Sequence, residues 1–122
     1  MAIQESGEMY LESIYVLSQK GEPVHAIDVG KYMGYSKPSV SRAMGLLKKD
    51  GYFEVDEESQ IALTERGLTV AKKIYERHTV LTEHLVRLGV DREIASEDAC
   101  RIEHAISADS FQAIQAHINK YL

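Results

Sequence analysis

Several residue types are scarce or missing in this chain of 122 residues, and each absence excludes a class of protein. A single cysteine, Cys100, cannot form an internal disulfide, which argues against a small secreted domain held by disulfides. No apolar run approaches the ~20 residues that a membrane span requires. The N-terminus, MAIQESGEMYLESIY, has neither the basic start nor the unbroken apolar core of a signal peptide. We therefore expect a cytoplasmic protein with no membrane partner.

Charge is distributed unevenly along the chain, although its sum is acidic at −5. Residues 29–49 carry five of the fourteen basic residues and no acidic residue, which leaves nine basic against nineteen acidic residues elsewhere. A local basic face is what DNA phosphates require, whereas an acidic remainder resists nonspecific binding and can collect cations. This distribution favours a DNA-binding protein despite the negative net charge.

The first half of the sequence predicts a winged helix-turn-helix. A helix over about 26–33 ends at Gly34, and Ser36 caps a second helix that has Pro38 in its first turn and ends at Gly51. Two short helices joined by a tight turn containing glycine are typical of a helix-turn-helix. The β-prone runs YFEV and QIAL flank the acidic turn DEES and predict the hairpin that forms the wing.

The rest of the chain predicts helices, so the fold class is mainly α with a small β-hairpin. Thr64 caps a long helix that ends at Gly89, Asp91 opens the next helix, and Ser110 opens the last. One apolar stripe follows the long helix and is interrupted by a histidine. The stripe consists of Leu68, Ala71, Ile74, Tyr75, His78, Leu81, Leu85 and Leu88.

One turn near the C-terminus carries three kinds of metal-binding donor. On a helix, Cys100, Glu103 and His104 fall within ~100° of one another, whereas Ile102 and Ile106 point toward the opposite side, as core residues would. Sulfur, oxygen and nitrogen donors on one face can converge on a cation if other segments supply further ligands. The further candidates are Met9, Glu12 and His78.

Taken singly, each of these residues also fits a structural role. A lone cysteine among apolar residues is usually a small buried hydrophobe, and methionine commonly fills gaps in a core. A carboxylate on a helix is usually solvated. A buried histidine such as His78 needs hydrogen-bond partners whether or not it binds a metal. Spacing alone does not decide between these interpretations.

The whole arrangement resembles one known family, the metal-dependent repressors typified by the diphtheria toxin repressor and the manganese transport regulator. The resemblance covers nearly the whole chain and rests on five segments in order: EMYLESIY (8–15), SKPSVSRAMGLLKKDGY (36–52), LTERG (63–67), RHTVLTEHL (77–85) and ACRIEHAIS (99–107). It implies a winged-helix DNA-binding region over residues 1–65 and a helical metal-binding and dimerisation region over 66–122. The two regions would form one compact unit without the SH3-like domain of many iron-type members.

Matched position by position, the resemblance implies six metal ligands: Met9, Glu12, His78, Cys100, Glu103 and His104. Met9 and Cys100 are similar to the iron type, whereas Glu12 is similar to the manganese type. The ancillary site of the iron type lacks two ligands here, because Thr82 and Ser96 occupy their positions, while Glu12 supports a two-metal arrangement like that of the manganese type. Soft sulfur donors discriminate against Mn²⁺. We therefore expect Fe²⁺ first and Mn²⁺ second, with Zn²⁺ or Co²⁺ able to bind in vitro.

The second helix of the helix-turn-helix is predicted to enter the major groove with its N-terminal half. Arg42 can make a bidentate contact to guanine, Lys37 is placed to meet phosphate, and serine hydroxyls can do either. The predicted DNA-binding residues are Ser36, Lys37, Pro38, Ser39, Ser41, Arg42 and Lys48. The acidic wing would repel phosphate and is expected to add little affinity. By resemblance, the protein is a homodimer that binds a palindromic operator and represses iron or manganese uptake genes.

Two other functions fit parts of the sequence. A di-metal helical-bundle enzyme requires Glu-x-x-His on paired helices, but Glu103 and His104 are adjacent and the sequence has no second copy. We therefore expect neither enzymatic activity nor an organic small-molecule substrate. A metal-independent winged-helix transcriptional regulator fits the N-terminal half, but it leaves the six candidate ligands unexplained together.

Overall fold

A computed structural model describes residues 5–121 of the chain, with side chains from Gly7 onward. This part contains six helices and one two-stranded sheet, so the predicted fold class is confirmed. The elements are α1 (Glu5–Ser18), α2 (Ala26–Met33), α3 (Lys37–Lys49), β1 (Phe53–Val55), β2 (Ile61–Leu63), α4 (Glu65–Arg87), α5 (Arg92–Ala105) and α6 (Ala108–Tyr121). None of the helices described is both long and apolar enough to cross a membrane.

The chain divides into two compact units, which we call the first unit (Met1–Lys72) and the second unit (Lys73–Leu122). The predicted boundary between residues 65 and 66 lies at the start of α4. The division between the two compact units falls inside α4, which runs without interruption past both positions, and the predicted boundary between the functional regions stays a prediction.

The helix-turn-helix forms where the sequence predicts it. Helix α2 ends at Gly34, which has a φ of 73° and donates its N–H to the carbonyl of Gly30. Glycine adopts this left-handed conformation without the steric penalty of a Cβ. Ser36 caps α3 by accepting the N–H of Ser39 at 3.4 Å, and Pro38 lies in the first turn, where its missing N–H has no intrahelical partner to lose.

The predicted wing is an antiparallel hairpin in which Phe53 pairs with Leu63. Its turn is held by Asp56, whose Oδ1 accepts the N–H of Glu58 and of Gln60, both at 2.9 Å. One of the acidic wing residues therefore stabilises the turn, in addition to contributing negative charge.

The core of the first unit lies between the helix-turn-helix, α1, the hairpin and the start of α4. Leu11, Ile14 and Val29 are fully buried there. Thr64 caps α4 as predicted, since its Oγ1 accepts the N–H of Gly67 at 3.2 Å. Gly67 is itself buried and packs against the backbone of Tyr52. The residue at position 67 must therefore be small.

The second unit has a core of Leu81, Ala99 and Phe111, contributed by α4, α5 and α6. Two members of the predicted stripe on α4 are not part of any core, because Tyr75 is 40% exposed and Leu88 is 67% exposed. The stripe prediction is wrong for these two residues. Tyr75 lies at the edge of the stripe, and Leu88 lies just past the last turn of the helix.

Two expectations for α5 and α6 are also corrected. The buried face of α5 carries Ala95, Ala99 and Glu103, whereas Ile102 is 36% exposed. Helix α6 begins at Ala108, and the cap is Ser107, whose Oγ accepts the N–H of Ser110 at 3.1 Å. Ser110 therefore lies inside the first turn and does not open the helix.

Candidate functional site

The last two turns of α5 bring three donor side chains together. Cys100, Glu103 and His104 each offer one ligand atom, and these atoms lie within 4.8 Å of one another. Ligands bound to one transition metal at ~2.0–2.3 Å are separated by at most about twice that distance. The spacing of the three donors therefore fits a metal ion, as the i, i+3, i+4 pattern predicts.

Glu103 is the centre of this arrangement. Its side chain and that of His104 are both fully buried, and Oε1 of Glu103 lies 3.3 Å from Nε2 of His104. Its other oxygen, Oε2, lies 2.8 Å from Nδ1 of His78 on α4. A buried carboxylate is costly unless positive charge or strong hydrogen bonds compensate for the lost water. His78 supplies a hydrogen-bonding nitrogen to one oxygen, the His104 ring lies beside the other, and a cation would supply the charge.

The imidazole of His78 is contacted on its other side as well. Its Nε2 lies 3.3 Å from Oγ of Ser96, which is also on α5. The ring therefore lies between two side chains of the same neighbouring helix, one facing each nitrogen. The histidine that interrupts the apolar stripe therefore has a polar partner on α5 at each ring nitrogen.

Arg77 is a part of the site that the sequence analysis did not identify. It is 7% exposed, and its Nη1 donates hydrogen bonds to the carbonyls of Glu103 at 3.1 Å and Ile106 at 3.0 Å. Its guanidinium also lies 5.6 Å from the ring centre of Phe111. The available signal was the position of this arginine, three residues after Ile74 on the apolar stripe and directly before the candidate ligand His78.

The structure brings together four of the six predicted ligands, all in the second unit: His78, Cys100, Glu103 and His104. Met9 and Glu12 lie one turn apart on α1, in the first unit, and both are half-buried. The role of all six residues as metal ligands stays a prediction.

The exposed side of α3 carries the predicted DNA-binding residues. Its buried side consists of Val40, Met44 and Leu47, so the helix is anchored on one face only. All seven predicted contact residues are exposed: Ser36, Lys37, Pro38, Ser39, Ser41, Arg42 and Lys48. Four acidic side chains of the wing are exposed as well, namely Glu54, Asp56, Glu57 and Glu58. The two surfaces therefore differ in the sign of their charge.

Comparison with known proteins gives two family matches that together span nearly the whole chain. Residues 2–61 match the N-terminal DNA binding domain of the iron dependent repressor, and residues 64–121 match the iron dependent repressor metal binding and dimerisation domain. The chain belongs to the iron-dependent repressor family. The resemblance inferred from the five sequence segments is confirmed.

Individual relatives agree with this assignment. The chain is 31% identical over 121 residues to the uncharacterized HTH-type transcriptional regulator MJ0568 of Methanocaldococcus jannaschii, covering 98% of this chain and 97% of that one. It is 30% identical over 106 residues to the iron-dependent repressor IdeR of Mycobacterium tuberculosis, covering 86% and 46%. The structure of the manganese regulator SloR matches with a TM-score of 0.83 at 25% identity, covering 98% and 55%. The chain thus spans about half the length of IdeR and SloR.

Family membership settles the general function. This member of the iron-dependent repressor family is a metal-dependent transcriptional regulator with a DNA-binding region followed by a metal-binding and dimerisation region. The four donors gathered in the second unit lie within the segment that matches the metal-binding domain.

Proposed function

We propose that this protein is a homodimeric repressor of metal-uptake genes that Fe²⁺ activates for binding to a palindromic operator. His78, Cys100, Glu103 and His104 would hold the ion in the second unit, and Met9 and Glu12 would add ligands from the first unit. The observation that carries the proposal is the fully buried Glu103 carboxylate between two imidazoles, one turn from a thiol.

The donor set favours iron over manganese. A thiolate and a thioether are soft donors, which suit Fe²⁺ and later ions better than Mn²⁺, whereas carboxylates and imidazoles suit both. Cys100 and Met9 therefore support Fe²⁺ as the physiological ion. Glu12 supports Mn²⁺ as the second candidate, because it would add a hard oxygen ligand.

The residues of the site would couple metal binding to DNA binding. A bound divalent cation supplies positive charge that offsets the repulsion among crowded carboxylate and thiolate groups. His78, Cys100, Glu103 and His104 lie on α4 and α5, whereas Met9 and Glu12 lie on α1, the helix that precedes α2 and α3. Joint ligation by these helices would favour one placement of the recognition helix α3 in each subunit, which shifts the population toward the DNA-binding state.

The DNA end of the mechanism rests on the exposed face of α3. Its N-terminal residues would enter the major groove, with Arg42 reading a base and Lys37 contacting phosphate. A symmetric dimer presents two such helices to half-sites about one helical turn, ~34 Å, apart. This geometry is the reason to expect a palindromic operator.

A DNA-binding titration over several metals tests the proposal. An operator is first selected from random duplexes with the metal-loaded protein, and affinity is then measured by fluorescence anisotropy under anaerobic conditions with chelator, Fe²⁺, Mn²⁺, Co²⁺ or Zn²⁺. We expect weak DNA binding with chelator. We also expect Fe²⁺ to activate DNA binding at a lower concentration than Mn²⁺, the other candidate for the physiological ion. Equal affinity with chelator and with every metal would instead support a metal-independent winged-helix regulator.

A histidine substitution provides the matched test of the site. His78→Gln should fold and dimerise, because a similar-sized amide fits the position, but it should lose much of its metal affinity and its metal-dependent gain in DNA affinity. His117→Gln on α6, at an exposed position, is the control and should behave as the parent protein. Unchanged metal affinity in His78→Gln would remove this histidine from the site.

A further inference from the structure

We propose that Ser96 is a positioning residue that orients the imidazole of His78 through Nε2, so that Nδ1 faces the metal. The inference rests on the proposed function, because it assumes that His78 is a ligand. Ser96 itself would not bind the ion. In the sequence, it occupies a position where the iron-type resemblance requires a histidine ligand.

The geometry assigns a different partner to each nitrogen of the ring. Nδ1 of His78 lies 2.8 Å from the Glu103 carboxylate, and Nε2 lies 3.3 Å from the Ser96 hydroxyl. Ser96, Cys100 and Glu103 are spaced i, i+4 and i+7, so they lie on one face of α5. One face of this helix therefore carries the Nε2 partner and two of the candidate ligands.

The identity of the metal-binding nitrogen follows from its neighbours. Glu103 is a candidate ligand, and Nδ1 is the ring nitrogen of His78 that lies beside its carboxylate. A histidine that binds a metal through one nitrogen almost always donates its other ring N–H to an oxygen acceptor, which fixes the ring orientation and the tautomer. Nε2–H and the Ser96 oxygen, 3.3 Å apart, can form such a pair.

A hydroxyl is well suited to this task because it can both donate and accept. When Nδ1 binds the ion, Nε2 carries the proton and donates it in a hydrogen bond to the Ser96 oxygen. When Nδ1–H faces the Glu103 carboxylate instead, Nε2 is unprotonated and the Ser96 O–H can donate to it. Ser96 can therefore keep its contact with the ring in both states, whereas an alanine cannot form this hydrogen bond in either.

Three variants separate positioning from packing. Ser96→Ala removes the hydroxyl, Ser96→Thr keeps it, and Ser110→Ala removes an exposed hydroxyl from α6 as the control. Zn²⁺ affinity is measured by calorimetry with a competing chelator, and thermal unfolding is followed without metal. We expect Ser96→Ala to bind Zn²⁺ about 10- to 100-fold more weakly than the parent. Ser96→Thr should recover most of that affinity, and the metal-free melting temperatures should stay close to that of the parent.

A spectroscopic measurement on the unmodified sequence tests the same inference without any variant. In the Zn²⁺-loaded protein, the nitrogen chemical shifts of His78 should show a proton on Nε2 and the metal on Nδ1. An unprotonated Nε2, or equal Zn²⁺ affinity of Ser96→Ala and the parent, would overturn the role of Ser96 while leaving metal binding intact. Failure of the parent itself to bind Zn²⁺, Fe²⁺ or Mn²⁺ would overturn the proposed function, and the inference with it.

Discussion

Arg77 on α4 donates a hydrogen bond of 3.1 Å to the backbone carbonyl of Glu103, the residue at the centre of the candidate metal site. The same nitrogen donates to the carbonyl of Ile106, just past the end of α5. The last carbonyls of a helix have no partner within the helix. Arg77 therefore caps α5 from a neighbouring helix and fixes the turn that carries Glu103.

Replacing Arg77 should destabilise the metal-free protein. Arg77→Met keeps much of the apolar stem but removes the donor from both carbonyls, and we expect the free energy of unfolding to fall by about 2 kcal/mol. Urea denaturation of the metal-free protein measures the change. Arg87→Met, at an exposed position on the same helix, is the control. Equal effects in the two variants would show that Arg77 does not cap α5.

Two glycine substitutions should change stability in opposite directions. A Cβ at Gly67 would clash with the carbonyl oxygen of Tyr52, so Gly67→Ala forces the backbone apart and should cost about 1–3 kcal/mol. A Cβ at Gly45 on α3 meets no described atom within 4 Å, so Gly45→Ala should gain up to ~1 kcal/mol in helix propensity. Chemical denaturation of both variants gives the comparison. A stable Gly67→Ala would contradict the close packing of α4 on Tyr52.

The thiol of Cys100 should determine which metal binds best. Cys100→Glu replaces the soft donor by a carboxylate and should shift the affinity order from Fe²⁺ toward Mn²⁺. Cys100→Ala, which supplies no donor, should weaken binding of both ions and serves as the control. Metal affinities are compared under anaerobic conditions. If the order in Cys100→Glu matches that of the parent, the thiol is a packing residue and does not select the ion.

Charge on α3 and on the wing should affect DNA binding with opposite signs. Lys37→Gln should weaken binding and flatten the slope of log affinity against log salt concentration by about 0.9 for each phosphate that the variant no longer neutralises. Glu57→Gln on the wing should leave affinity unchanged or raise it, because it removes a repulsive charge. Glu57 is a cleaner probe than Glu58, whose carboxylate accepts a hydrogen bond from Gln60. Weaker DNA binding by a folded Glu57→Gln variant would mean that the wing contacts DNA favourably.

The ion pair between Glu83 and Arg92 predicts a pH effect on stability. Nη1 of Arg92 lies 2.7 Å from Oε1 of Glu83, and its hydrogen bond and charge lower the pKa of Glu83 from 4.5. A lowered folded-state pKa adds stability that is present above 4.5 and is lost as the pH falls through the folded-state value. Arg92→Gln should therefore melt slightly lower than the parent at neutral pH. At a pH below both the folded-state and the unfolded-state pKa of Glu83, the parent and Arg92→Gln should have the same melting temperature.

A difference that persists unchanged in strong acid would mean that Arg92 stabilises the protein by interactions other than its pairing with Glu83. Both side chains are largely exposed, so water and salt screen the pair and the effect at neutral pH should be small.

Local sequence rules predicted the helix-turn-helix well because its determinants are local. Gly34 takes a positive φ that favours glycine, and Ser36 caps α3 through a residue three positions away. The cap of α4 at Thr64 follows the same logic. The sequence does not distinguish Ser107 from Ser110 as the cap of α6, because either serine can cap a helix. The choice depends on the path of the chain between α5 and α6.

Tertiary packing decided the features that the sequence did not reveal. A periodicity argument places Ile102 in the core and Glu103 on a polar face, but Glu103 is buried and Ile102 is partly exposed. The Glu103 carboxylate contacts His78, twenty-five residues away, and its backbone carbonyl accepts a hydrogen bond from Arg77, twenty-six residues away. No local pattern predicts such contacts, although the donor spacing on α5 correctly indicated which residues gather.

The capping pair at the start of α3 limits what its serines can contribute to recognition. The hydroxyl of Ser36 donates to the hydroxyl of Ser39 at 3.0 Å, and it also accepts the N–H of Ser39. Before Ser36 can donate to a base or a phosphate, its O–H must leave the partner that it already has. An exchange of one hydrogen bond for another yields little net affinity, and at a sequence that offers no acceptor the O–H keeps its bond to Ser39 at no cost. Ser36 would therefore add little discrimination between sequences, and the basic side chains beside it would supply most of the strength of binding.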